Sequence, residues 1–181
     1  MKNAVALFLA VFLLCLTVGL VSAQAPSGPP KPGPEHEKLA YFVGKWASEG
    51  ELKPSAFGPG GKFAITETCD WLPGKFALQC NSDGNISGMP VKGTSIMSYD
   101  SAKSTYVYFE SNSMGENNYS QGSVNGDTWT WTSENAMYGT TVRTRFTLKQ
   151  VPPDSASFKF ELATGSDPLT LMMEGKQTRQ K

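Results

Sequence analysis

Phe63-Ala64-Ile65-Thr66-Glu67-Thr68-Cys69-Asp70-Trp71, then Leu72-Pro73-Gly74-Lys75, then Phe76-Ala77-Leu78-Gln79-Cys80, is the stretch whose reading sets the fold class. Phe63, Ile65, Glu67, Cys69 and Trp71 fall on one face of a period-two segment, with Ala64, Thr66, Thr68 and Asp70 on the other. That alternation is the signature of a half-buried strand. Leu72 to Lys75 has proline and then glycine at its centre, which fits a type II turn. The next strand puts Phe76, Leu78 and Cys80 on one face. If Leu72 pairs with Lys75, Cys69 faces Leu78 and Cys80 faces Glu67, so the cysteines are diagonal neighbours on one face and one bulge brings them opposite.

The same pattern runs outward in both directions. Upstream, Tyr41 to Leu52 reads as the first strand. Downstream come Met89–Tyr99, Ser104–Glu110, Asn117–Val124, Asp127–Ser133, Thr140–Lys149, Ser157–Leu162 and Leu169–Glu174, the last leading into a carboxy-terminal tail. Asn125-Gly126 is a two-residue hairpin signal. No helical period follows residue 44. About ten short strands joined by turns make an antiparallel meander, and the expected fold is all-β, an up-and-down barrel whose closure removes the edges. A two-sheet sandwich is the structural alternative. A short helix is expected before the first strand, where Pro34, Glu35 and Glu37 suit a first turn and Leu39, Phe42 and Val43 form an apolar stripe.

The amino terminus reads as an address. Lys2 precedes an apolar run from Ala4 to Val21, and Val21-Ser22-Ala23 supplies the small residues of a cleavage site before Gln24. Residues 1–23 are therefore expected to be a secretory signal peptide, placing the mature chain outside the cytoplasm, secreted or periplasmic, with no stable membrane span after cleavage. The competing reading is an uncleaved anchor. Residues 24–34 follow as a proline-rich, disordered spacer, and 35–181 as the barrel domain. Cleavage removes Cys15 and leaves Cys69 and Cys80, which in an exported domain suggests one disulfide; two buried thiols are the alternative.

Composition narrows the function. The 181 residues carry 16 basic and 16 acidic side chains, so no basic surplus exists to neutralise phosphates and nucleic acid is not an expected partner. There is one histidine, His36. It lies beside the spacer and reads as a solvated or capping residue rather than a metal ligand or general base. No Gly-x-Ser-x-Gly, Ser-x-x-Lys, P-loop or dinucleotide fingerprint occurs. Gly58-Pro59-Gly60-Gly61 is a turn, since no helix follows it to cradle a phosphate. Asn85-Ile86-Ser87 and Asn118-Tyr119-Ser120 match the glycosylation acceptor pattern, which has meaning only in a eukaryotic secretory path. No cofactor, metal or catalytic residue is assigned.

Glu67 shares its face with Ile65, Cys69 and Trp71. A carboxylate inside a barrel must pair, protonate or meet a ligand; near a barrel mouth it would simply be wet. Glu110 shares parity with Tyr106 and Tyr108 and stands under the same two readings. Tyr106, Tyr108, Trp129, Trp131 and Phe146 either line a ligand cavity or fill the core. The expected function is to bind a small, partly apolar molecule inside the barrel. A filled barrel that meets an envelope protein through its outward Thr128, Thr130 and Thr132 is the alternative, and an enzyme using Glu67 the third reading.

A resemblance adds to this. Phe42-Val43-Gly44-Lys45-Trp46-Ala47-Ser48-Glu49-Gly50 resembles the helix and Gly-x-Trp first strand of lipocalins and their barrel relatives, the fatty-acid-binding proteins and nitrobindin-like haem barrels among them. With Pro34-Glu35-His36, Trp71 to Phe76 and Gly93…Ser98-Tyr99-Asp100, the chain from about 34 to 178 is similar to a bacterial family, domain of unknown function 1579. The resemblance implies a calycin-like barrel, an exported bacterial protein and no established activity. By the lipocalin pattern Gly44 and Trp46 are structural, Trp46 plugging the closed end against an arginine for which Arg179 is the match. The late histidine that haem barrels use has no counterpart, which counts against haem.

Overall fold

The computed structural model describes residues 28–56, 58–137 and 140–181, so the expected signal peptide lies outside the described residues, as does the start of the spacer. Residues 31–181 form one compact unit. A short helix α1 (Pro34–Lys38) runs into a 3₁₀ turn (Leu39–Phe42). The described residues then form ten strands: β1 (Gly44–Leu52), β2 (Gly61–Trp71), β3 (Ala77–Ile86), β4 (Met89–Asp100), β5 (Thr105–Asn112), β6 (Asn117–Asn125), β7 (Thr128–Met137), β8 (Thr140–Val151), β9 (Ser155–Thr164) and β10 (Thr170–Gln180). Each pairs antiparallel with its sequence neighbour, and β1 pairs with β10 to close the barrel. The sandwich alternative is excluded by that last pairing.

Most strands run a few residues longer than the sequence reading gives, and three differences change the register or the closed end. The hairpin between β2 and β3 is wider than a two-residue loop. Lys75 N–H donates to Leu72 O at 3.0 Å and Gly74 takes φ +88°, so the turn forms, but Lys75 follows at φ +58° and the strands rejoin at Leu72 N–H to Ala77 O. The register therefore shifts by two residues and sets Cys69 directly opposite Cys80 without a bulge. They form a disulfide. Second, β1 begins at Gly44, because Tyr41 and Phe42 belong to the 3₁₀ turn that lays Leu39 and Phe42 on the core. Third, there is no tail after Glu174: β10 continues to Gln180 and supplies the closing edge.

The amino-terminal segment covers one end of the barrel, and its residues explain why. His36 Nδ1 accepts the Gly33 N–H at 3.2 Å, capping α1, and the ring stacks edge-on against Phe76 and Tyr99. Tyr106 Oη donates to Glu35 at 2.6 Å, tying α1 to β5. Phe42 meets Trp129 edge-on with ring centres 5.0 Å apart. Trp46 is almost fully buried, and its Nε1–H donates to Phe42 O at 3.0 Å. Arg179 lies over the Trp46 ring, 4.1 Å from its centre, and donates to Tyr41 O, Val43 O and Asp154. Gly44, at φ +103°, leaves room for it, since a Cβ there would meet the guanidinium at 3.2 Å. The closed end thus has the lipocalin arrangement that the resemblance implies.

Candidate functional site

Above this plug the interior changes character. The floor is apolar: Leu39, Phe42, the Cys69–Cys80 disulfide, Leu78, Met97, Tyr106, Trp129, Leu148 and Phe158 are all buried. By strand parity, the next inward layers carry Glu67, Ser82, Ser95, Tyr108, Glu110, Asn118, Ser120, Ser133, Asn135 and Thr144 among Ile65, Phe146, Phe160 and Leu162. Most of these remain half-exposed although they point to the barrel axis. Glu67 and Tyr108 are surrounded by the wall, yet neither is sealed from water. What they border is the barrel lumen.

The electrostatics follow from that placement. Burial pushes the Glu67 carboxyl up to about 7, and the nearby Glu110 carboxylate adds to the rise. Glu110 is likewise raised, chiefly by burial. Tyr108 Oη donates to Glu110 Oε2 at 3.0 Å, and burial lifts the phenol well above its ordinary range. Ser95 sits directly opposite Glu110 in the register and is almost fully buried. Its Oγ is near the Tyr108 hydroxyl but makes no hydrogen bond to it of acceptable geometry. Trp129 Nε1 and Gln177 Oε1, also on inward positions, are buried without a partner as well. Buried polar atoms are normally paired; Trp129 belongs to the floor and Gln177 lies at the plug end, two residues from Arg179, so it is Ser95, level with Glu110, whose orphan oxygen marks where a bound molecule would supply a partner.

A polar chain continues toward the open end. Ser133 Oγ and Thr144 Oγ1 are 2.7 Å apart, Asn135 Nδ2 donates to Asn118 and Ser133, and Asn118 donates to Ser120. A groove of about 410 Å³, open to solvent, is lined by the outward Thr94, Ile96, Phe109 and Tyr119 as well as by Ser95, Glu110, Asn118 and Asn135. The carboxylate of Glu67 also lies within 4.8 Å of both cysteine sulfurs, but joined as a disulfide these offer no thiolate to a metal.

The residues singled out in the sequence divide between two levels. Glu67, Tyr108 and Phe146 border the lumen; Tyr106 and Trp129 lie in the floor, bonded to α1 and stacked on Phe42; Trp131 bridges them, its ring parallel to Trp129 and 5.8 Å from Tyr108. Ser95 and Gln177 were not singled out. Their only sequence signal is parity, a serine and a glutamine on inward positions of β4 and β10.

A closed ten-strand up-and-down barrel plugged by a Gly-x-Trp strand and an arginine is a calycin-like barrel. The sequence profile of the family described as protein of unknown function (DUF1579) matches residues 31–179, and the chain belongs to that family. Two solved structures have the same fold. Rv2717c from M. tuberculosis is 15% identical, with a TM-score of 0.60 over 82% of this chain and 99% of its own. The S-type phycobiliprotein lyase CPES from Guillardia theta is 11% identical, with a TM-score of 0.54 over 81% of this chain and 93% of its own. A search of curated proteins gives no significant match.

Proposed function

We propose that this protein is an exported barrel that holds a small, partly apolar molecule in its lumen. One observation carries the reading: side chains that point to the axis of a closed barrel are left half-exposed, with the unpartnered Ser95 Oγ among them. A barrel filled by its own side chains would close those surfaces. The apolar body would rest on Trp131, Phe146, Phe160 and Ile65, and Glu67, Tyr108, Ser95 and Glu110 would orient a polar end. Removing roughly 300 Å² of apolar ligand surface from water is worth about 7 kcal/mol before the cost of association, enough for micromolar binding. Export rests on the leader-like residues 1–23 and agrees with the Cys69–Cys80 disulfide. Among the described residues no helix is long and apolar enough to cross a membrane.

A second reading draws on the outer wall. Phe109 and Tyr119 stack there with ring centres 4.7 Å apart, Phe109 half in water, beside the outward Ile96. Such a patch suits contact with an envelope protein. Native mass spectrometry separates the two. Protein purified gently from its own envelope fraction should carry a small-molecule adduct that organic denaturation releases. A bare chain under gentle conditions, with a co-purifying protein partner, would favour the outer wall.

A further inference from the structure

Resting on the lumen reading, we infer that the bound molecule carries a positive charge: the lumen is built for an organic cation, an amine or quaternary ammonium group on an apolar, aromatic-sized body. The inward charges give the sign. Strand parity sends Lys45, Lys62, Lys92, Arg143, Arg145, Lys149, Lys159 and Lys176 to the outside of the wall, while Glu67 and Glu110 face the axis. Among the described residues the one inward cation on the strands is Arg179. It lies under Trp46, held by two carbonyls and Asp154, and its charge is directed away from the lumen. The outward carboxylates Glu161 and Glu174 have salt-bridge partners in Arg145, Lys159 and Lys53. No salt bridge reaches Glu67 or Glu110 among the described residues; the contacts Glu110 does make are with neutral groups, the Tyr108 hydroxyl and the Asn112 amide. Two enclosed carboxyl groups without a counter-charge repel anions and favour a cation that neutralises both.

A second, independent observation marks the place. Ser95 Oγ, almost fully buried and without a hydrogen-bond partner, is on the residue paired with Glu110. A ligand N–H beside Glu110 would donate to that oxygen. The Tyr108 ring, half-buried and packed 5.8 Å from Trp131, stands beside Glu110 and adds an aromatic surface that suits a cation. An anionic head has no comparable set: among the described residues the polar groups at that level are carboxyls, hydroxyls and amides, and the one inward cation, Arg179, lies at the plug.

Three probes with one body and different heads test this: 4-phenylbutylamine, 4-phenylbutanol and 4-phenylbutyrate, titrated calorimetrically into the mature protein at pH 8. The amine should bind at least tenfold more tightly than the alcohol, and the butyrate more weakly than the alcohol. In the Glu67→Gln/Glu110→Gln variant the ratio of amine to alcohol affinity should fall to about one. Glu110→Gln alone should lower the ratio part way, which guards against the double variant failing to fold. Equal affinities in the wild type, or an amine preference that survives both substitutions, would overturn the charge inference while leaving the lumen as a binding site. If none of the three probes enters, the lumen reading itself falls and the inference with it.

Discussion

Replacing Glu67 by glutamine should make the protein more stable, and only at neutral to alkaline pH. The side chain keeps its size and loses its charge. In the folded protein the Glu67 carboxyl titrates near 7 against an ordinary value of 4.5, because the barrel wall strips its water and Glu110 is close. Folding therefore raises its affinity for a proton. Between those two pH values the folded chain keeps a proton that the unfolded chain has released, so stability falls as pH rises through that window and is lowest above 7. At about 1.4 kcal/mol per pH unit the gap amounts to about 3 kcal/mol, and lumen water brings it toward 2. Glu67→Gln and wild type should thus be nearly equal in stability at pH 4, with the variant ahead by about 2–3 kcal/mol at pH 8.5. Urea unfolding, followed by tryptophan fluorescence with the disulfide intact, reads both curves. Parallel curves from pH 4 to 8.5 would refute the placement of Glu67 as an enclosed, uncompensated carboxyl.

Other substitutions test the plug and the wall. Arg179→Ala removes the cation over Trp46 and the donors to Tyr41 O and Val43 O, and should cost about 1–3 kcal/mol in the same assay. Gly122→Ala should cost about 1–3 kcal/mol and perturb the near-UV dichroism of Trp131, since a Cβ there would stand 2.4 Å from the indole. Cys69→Ser/Cys80→Ser opens a loop whose ends are 11 residues apart, and denaturant titration should show a loss of about 2–3 kcal/mol.

The barrel was legible because its strands obey period two from Phe63 to Leu162, and one-sided apolar strands in unbroken antiparallel order have few ways to hide their edges. The errors fall where sequence carries no such signal. Lys75 adopts a left-handed conformation that a lysine does not advertise, so the local pattern gives a hairpin register two residues short of the actual one. The second half of β10, Gly175-Lys176-Gln177-Thr178-Arg179, puts a glycine, a glutamine and an arginine on inward positions, and without apolar alternation it read as a tail. Parity alone identified Glu67 and Glu110 as inward. It could not say at which depth each aromatic sits: Tyr106 and Trp129 join the floor through Glu35 and Phe42, partners some 70 to 90 residues away in sequence that no local period reveals.

The lumen itself is tested most directly by saturation binding of a neutral fluorescent probe, N-phenyl-1-naphthylamine, to the mature protein and to Ser82→Phe. Ser82 faces inward opposite Glu67, so a phenyl ring there occupies the space a ligand would take. Wild type should bind one probe with micromolar affinity and transfer energy from Trp131, while the folded variant should show at least a tenfold loss. No saturable binding to wild type, or equal binding by both proteins, would contradict an open, ligand-holding barrel.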